Sequence, residues 1–331
     1  MKPPLTILGA GNLGTTLAII LGRAGRASHL WTIEEDVAQA IRERRDNFRY
    51  LPGEPVPECV EVGVDLAQAV RGAKVLCLTV PSHVVRKVAR SLAPLVERQQ
   101  VLVDMAKGFD PQSRQRMTEV IAQEIPAHNR PALVALSGPS IARELVHGVP
   151  TAVAIGSDSP DALRRAREAL ELPFFRLLPC DDPVGVELCG SLKNILAIGS
   201  GIADGLGLGL NTKSAVLSVG LAELAALAEA LGARRDTAFG LAGLGDLLVT
   251  SFSEHSRNRT LGEQIGRGRS LEEVKKTMVE VAEGVSASAI ARDLARARGL
   301  KLPVLEGLHA ILHAGADPRS TFQAIFASLT A

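Results

Sequence analysis

The sequence predicts an α/β amino-terminal domain on a mostly parallel sheet, followed by an all-α carboxy-terminal domain. Three observations carry that reading. Short runs rich in Val, Ile and Leu alternate with helical patterns through the first half. A glycine-rich turn follows the first of these runs. Beyond residue 180 strand signals almost vanish while helical patterns continue. A length of 331 residues also favours two cores over one.

The expected strands are residues 5–8, 29–33, 75–80, 101–105, 132–136, 152–155 and 174–178, with a weaker one at 60–64. Each is short and rich in Val, Ile or Leu, as a strand covered on both faces should be. Helical patterns separate several of them, at 15–21, 83–96, 113–125, 140–146 and 161–170. Strand and helix in alternation build a parallel sheet. Cys180-Asp181-Asp182-Pro183 has an Asp cap and a first-turn proline, the signature of a helix start. The expected domains are therefore 1–180 and 181–331.

Composition excludes several function classes. Hydrophobic residues make up 46% of the chain, which argues against disorder. The net charge of +1 marks no polyanion-binding surface, so any basic site must be local, and 3% aromatics are too few for single-strand stacking platforms. Cys59, Cys77, Cys180 and Cys189 form neither a C-x-x-C pair nor a metal-type cluster. Reduced thiols fit a cytoplasmic protein with no metal. GAGNLG interrupts the apolar amino terminus, which favours a folded strand–turn–helix over a signal peptide. No apolar stretch is long enough for a membrane span. The apolar helices of the second half suit a homodimer.

Gly9-Ala10-Gly11-Asn12-Leu13-Gly14 matches G-x-G-x-x-G between a strand and an apolar helix, the Rossmann-like context. Gly9 would permit the tight turn, Gly11 the approach of a pyrophosphate, and Gly14 the packing of helix on strand. The helix amino terminus would supply amide donors. A ligand-free glycine turn is the plainer alternative. Glu34 lies 20 residues after Gly14, where a ribose-binding acid is expected. A carboxylate there repels a 2′-phosphate, and residues 33–36 include no arginine or lysine, so NAD is favoured over NADP. Arg42, Arg44 and Arg45 lie downstream and could fold back.

Other strand ends carry polar residues. Pro81-Ser82-His83 is either a cofactor-facing turn or an ordinary strand-to-helix turn. Lys107 ends the next strand, facing the same crevice or solvent. Ser137-Gly138-Pro139-Ser140 could cradle an anion or simply cap a helix. In the second half, Lys193 and Asn194 lie in a glycine-rich apolar helix with Gly190 and Ser191 one turn back. A lone lysine there would snorkel to the surface. Asp246 is a second charge among apolar residues, and two opposite buried charges suggest a paired functional site. Ser256-Arg257-Asn258-Arg259 at a helix start offers phosphate ligands, or else a solvated loop.

Taken together, GAGNLGTTLA, Leu30-Trp31, VPSH, AKG, SGPSIARE, residues 185–211, AGLGDLLVT, SRNR and VAEG resemble the NAD(P)-dependent glycerol-3-phosphate dehydrogenase family. The resemblance implies reversible reduction of dihydroxyacetone phosphate to sn-glycerol 3-phosphate by NAD(P)H, serving glycerophospholipid synthesis. It implies Lys193 as the acid/base residue. It implies substrate contacts at Lys107, Gly138, Ser140, Asp246, Ser256, Arg257 and Asn258, with Asn194 and Thr250 near the substrate. Cofactor contacts are implied at Asn12, Leu13, Ala142, Arg257, Val281 and Glu283, beside Gly9, Gly11, Gly14, Glu34, Pro81 and Lys107. Two departures stand out: Ile33 replaces a basic residue that helps hold a 2′-phosphate in many bacterial members, and Leu13 replaces a frequent aromatic.

In the mechanism so implied, Lys193 donates a proton to the carbonyl oxygen while Asp246 and Asn194 orient it. Arg257, Ser256 and Asn258 hold the phosphate, at a site expected between the domains. The alternatives are a β-hydroxyacid or phosphogluconate-type dehydrogenase, and a dinucleotide-sensing protein without catalysis.

Overall fold

The computed structural model describes residues 4–278 and 282–328. The chain forms two compact units, one of Met1–Ala106 and Gln115–Pro183, the other of Lys107–Arg114 and Val184–Ala331. The excursion Lys107–Arg114, expected with the first half, packs with the second unit.

The first unit runs β1 (Leu5–Leu8), α1 (Asn12–Arg23), β2 (Ser28–Trp31), α2 (Glu35–Arg44), β3 (Val60–Gly63), α3 (Leu66–Val70), β4 (Val75–Leu78) and α4 (Ser82–Leu92). It continues with β5 (Val101–Asp104), α5 (Met117–Glu124), β6 (Ala132–Ser137), α6 (Ala142–Val146), β7 (Thr151–Gly156), α7 (Pro160–Leu170) and β8 (Phe175–Cys180). The strands form one sheet in the order β3-β2-β1-β4-β5-β6-β7-β8. All neighbours are parallel except β6 and β7. The period of two sorts side chains to opposite faces. Leu5, Ile7, Val75, Cys77, Val101 and Val103 enter one apolar core. Leu8, Leu76, Leu78 and Leu102 enter the other. That division explains why these strands are rich in Val, Ile and Leu on both faces.

Some boundaries differ from expectation. The run 29–33 stops at Trp31, and Ile33 is 78% exposed. The helix expected from residue 113 begins at Met117. The Asp110 carboxylate accepts from the Ser113 amide and hydroxyl, both at 2.8 Å, and Arg114 takes φ +61°. This turn chemistry competes with helix. The helix expected over 83–96 ends at Leu92, and α2 and α3 stand outside the helical patterns read from the sequence.

The second unit contains α8 (Pro183–Gly205), α9 (Gly209–Ala230), α10 (Asp246–Phe252), α11 (Arg257–Gly266), α12 (Leu271–Thr277), α13 (Glu283–Ala297), α14 (Pro303–Ala314) and α15 (Pro318–Ser328). Residues 185–203 of α8 are buried without interruption. Glycines let α11 approach its backbone directly. A Cβ on Gly201 would stand 2.0 Å from the Arg259 carbonyl oxygen, and one on Gly262 would stand 2.0 Å from that of Ile198. Glycine lowers helix propensity by roughly 1 kcal/mol relative to alanine, so its presence here reflects packing. Gly262→Ala is accordingly expected to destabilise the protein by about 2 kcal/mol despite that propensity gain, because backbone must move to admit the methyl group. Urea unfolding followed by circular dichroism measures the change.

Glu223 of α9 is a buried carboxylate that caps another helix. It accepts from the Val304 and Leu305 amides at 2.8 and 3.0 Å, and burial pushes its carboxyl up to about 7. No helix among the described residues is long and apolar enough to cross a membrane.

Candidate functional site

The first unit builds a tight glycine turn after β1. Gly9 has φ +120°, and a Cβ on Gly14 would stand 1.9 Å from the Gly9 carbonyl oxygen. Only glycine permits that meeting of turn and helix. Asn12 and Leu13 open α1, with Gly11 at the cap position. No side chain caps the helix and no acid occupies its first turn. A Cβ on Gly11 would meet nothing within 4 Å. The open backbone and uncapped amides fit the pyrophosphate of a dinucleotide.

Two residues missed in the sequence hold this turn. Thr79 donates its hydroxyl to the Gly9 and Leu8 carbonyls at 2.9 and 3.1 Å. Asn47 is fully buried and donates to the Ala10 carbonyl at 2.8 Å and the Thr15 hydroxyl at 2.7 Å. Thr79 follows β4 as a polar residue at a strand end, a usable signal. Asn47 sits in a loop far along the chain and offers none.

Glu34 stands just after β2 and precedes α2. Residues 33–36 carry no basic side chain, but an arginine from farther along the chain attends Glu34. Arg49 binds the Glu34 carboxylate and reaches Asp36 at 2.5 Å, and the Tyr50 hydroxyl donates to Glu34 at 3.0 Å. The three arginines at 42, 44 and 45 go elsewhere. Arg42 binds Glu35, Arg45 donates to the Val56 carbonyl at 2.9 Å, and Arg44 lies 5.9 Å from the Phe48 ring.

Pro81 precedes α4, and the neighbouring Val80 abuts the glycine turn, 2.9 Å from where a Gly9 Cβ would stand. Gly138 has φ +149° at the end of β6, and the Ser140 hydroxyl donates to its carbonyl at 3.2 Å. The helix expected from Ser140 begins at Ala142 and has only five residues.

The second unit gathers a charge cluster. Lys193 projects from α8 and donates to Asp246 at 2.9 Å and to the Thr250 hydroxyl at 2.5 Å. Lys107 donates to the other Asp246 oxygen at 2.5 Å. Lys193 and Asp246 are 4% and 3% exposed, so neither charge is water-stabilised. Asp246 follows a π-helical turn, Leu241–Gly245, whose Gly245 amide donates to the Gly240 carbonyl at 3.1 Å. That irregular turn aims the first residue of α10 and had no signature in the sequence.

Burial pushes the Lys193 ammonium down to about 8; Lys107 adds to this while Asp246 and Glu283 resist it. Burial opposes the charged Asp246, but Lys107 and Lys193 outweigh it and hold the carboxyl below the usual range. One carboxylate between two ammonium groups leaves a net positive charge. Such a site can donate a proton near neutral pH and stabilise a developing oxyanion.

Beside this cluster, α8, α11 and α13 meet. Asn258 donates to the Asn194 side-chain oxygen at 3.0 Å and accepts from the Gly284 amide at 3.0 Å. Asn194 thus orders its neighbour, while Thr250 takes the place expected of it on the ammonium. Ser256 caps α11 and Arg257 is its first residue. Ser191 donates to the Gly108 carbonyl at 3.2 Å, tying α8 to the Lys107 loop. Glu283 opens α13, and Val281 lies outside the described residues.

Comparison with known proteins gives one answer along nearly the whole chain. A family model described as the NAD-dependent glycerol-3-phosphate dehydrogenase N-terminus matches residues 4–163, and its C-terminus counterpart matches 182–323. The chain is 41% identical to glycerol-3-phosphate dehydrogenase [NAD(P)+] of Chlorobium limicola over 311 residues, 94% of this chain and 93% of the relative. It is 40% identical to that of Stenotrophomonas maltophilia over 323 residues, 98% and 94% of the two chains. A crystal structure of glycerol-3-phosphate dehydrogenase from Coxiella burnetii superposes with a TM-score of 0.92 at 35% identity, covering 98% of this chain and 99% of that one.

Proposed function

Since the chain belongs to the NAD-dependent glycerol-3-phosphate dehydrogenase family, we propose that Lys193 is its catalytic acid and base. The protein is an oxidoreductase that interconverts dihydroxyacetone phosphate and sn-glycerol 3-phosphate with NAD or NADP. The observation that carries the assignment is the buried ammonium of Lys193, held by Asp246 and Thr250. The glycine turn 9–14 and the first turn of α1 hold the pyrophosphate, with Glu34 toward the ribose. Pro81, Lys107, Ala142, Arg257, Val281 and Glu283 complete the proposed cofactor set. The nicotinamide, when bound, supplies or accepts the hydride.

In the reductive direction Lys193 gives its proton to the carbonyl oxygen as charge develops there. In the oxidative direction its neutral amine takes the hydroxyl proton. Asp246 and Thr250 fix the nitrogen so that little reorganisation accompanies transfer. Arg257, Ser256 and Asn258 receive the phosphate, assisted by Lys107, Gly138 and Ser140, with Asn194 ordering Asn258. Oxidation of NADH, and separately of NADPH, with dihydroxyacetone phosphate tests the reading; no turnover with either would refute it. Arg257→Ala is expected to raise KM at least about tenfold with a smaller change in kcat, since a phosphate clamp acts on ground and transition states alike. Steady-state kinetics against substrate concentration separates the two.

The proposed partner is a second copy of this chain, in the cytoplasm. Leu210, Phe239, Leu248 and Phe252 are large apolar residues 69%, 49%, 46% and 49% exposed on the second unit. Lys213 lies 4.4 Å from the Phe252 ring, which brings the start of α9 beside α10. Exposed apolar surface of this kind suits an interface between copies. Sedimentation equilibrium reads the mass.

A further inference from the structure

The cluster after β2 holds one cation and two carboxylates. Arg49 binds Glu34 and Asp36, and the Tyr50 hydroxyl fixes the same Glu34 oxygen that Arg49 contacts. The Arg49 and Asp36 side chains are 37% and 55% exposed, so their pair contributes little to stability. Glu34 is less exposed, at 28%, and occupies the strand-end position that takes ribose hydroxyls in dinucleotide folds. Among the described residues, Arg49 is the cation bonded to it.

We infer that Arg49 sets cofactor choice: it is the guanidinium that receives the 2′-phosphate of NADP(H), and Glu34 and Asp36 compete for it. The inference rests on reading the glycine turn as a dinucleotide site. A planar, permanently charged fork suits a phosphate monoester, and it need only re-pair from carboxylate oxygens to phosphate oxygens. With NAD(H), Arg49 stays on Glu34 and orients that carboxylate toward the ribose hydroxyls. With NADP(H), it leaves two carboxylates near an added dianion. Both cofactors are therefore admitted, and NAD(H) binds more tightly. Ile33 is 78% exposed and has no charge to offer, so the discriminating cation comes from a loop 15 residues beyond Glu34.

Isothermal titration of NADH and NADPH, without substrate, tests this on the intact protein. Wild type is expected to bind both, NADH more tightly. Arg49→Gln should weaken NADPH at least about tenfold and NADH by less than about threefold, the scale of a lost charge-assisted phosphate contact. Arg49→Lys should restore part of the NADPH affinity. Glu34→Gln should strengthen NADPH and weaken NADH. Circular dichroism melts establish that each variant is folded. Equal weakening of both cofactors by Arg49→Gln, or unchanged NADPH affinity, would overturn the inference while leaving the dinucleotide site standing. Wild type that binds neither cofactor would overturn both.

Discussion

Lys193→Ala is expected to lower kcat by at least about 10²-fold, the scale of a lost general acid or base. The loss should appear in both reaction directions, because one nitrogen serves both. Binding of NADH should change little. The pH profile gives an independent check. Lys193 titrates near 8, so the protonated form needed for ketone reduction is depleted as pH rises through that value. The reductive rate should fall there, while the oxidative rate, which needs the neutral amine, should rise. Lys193→Arg retains the charge but cannot release its proton in this range. It should be as inactive as the alanine variant. Near-normal turnover in either variant, measured at saturating substrate, would remove Lys193 from the mechanism.

Asp246→Asn should have the second large effect, on stability as well as rate. Asp246 is bonded to Lys193 and Lys107 at once. Neutralising it leaves a buried ammonium without a counter-charge, which costs about 3–5 kcal/mol. Lys193 also loses an attraction that raises its affinity for protons, so the inflection near 8 should move to lower pH. Removing the stranded charge should recover stability but not activity. The double variant Lys193→Met with Asp246→Asn is therefore expected to unfold at higher urea than Asp246→Asn alone. A single variant as stable as wild type, with its inflection unmoved, would show that the carboxylate is not the counter-ion.

The parts legible in the sequence were those written as local pattern. Short runs rich in Val, Ile and Leu marked the strands because both sheet faces are covered, and the glycine spacing marked the turn because only glycine survives the contact of Gly14 with Gly9. Lys193 and Asp246 stood out as charges in apolar surroundings, and they are bonded to each other. Features made by distant chain were not legible. The antiparallel pairing of β6 with β7 leaves no mark in residue type, since a strand covered on both faces is equally apolar in either direction. Arg49 was overlooked because its partner lies 15 residues earlier. Thr250 outranks Asn194 at the ammonium because one helical turn separates it from Asp246, on the same face of α10.

The excursion of Lys107–Arg114 into the second unit has a bearing on dissection of the protein. The polypeptide passes from one unit to the other three times, at 106–107, 114–115 and 183–184. A gene fragment starting at 184 would omit Lys107, and with it one of the two cations on Asp246. It would also omit the carbonyl of Gly108 that receives the Ser191 hydroxyl. A cut at the obvious helix start therefore yields an incomplete module, and grafting it onto another nucleotide-binding half requires carrying the small loop along.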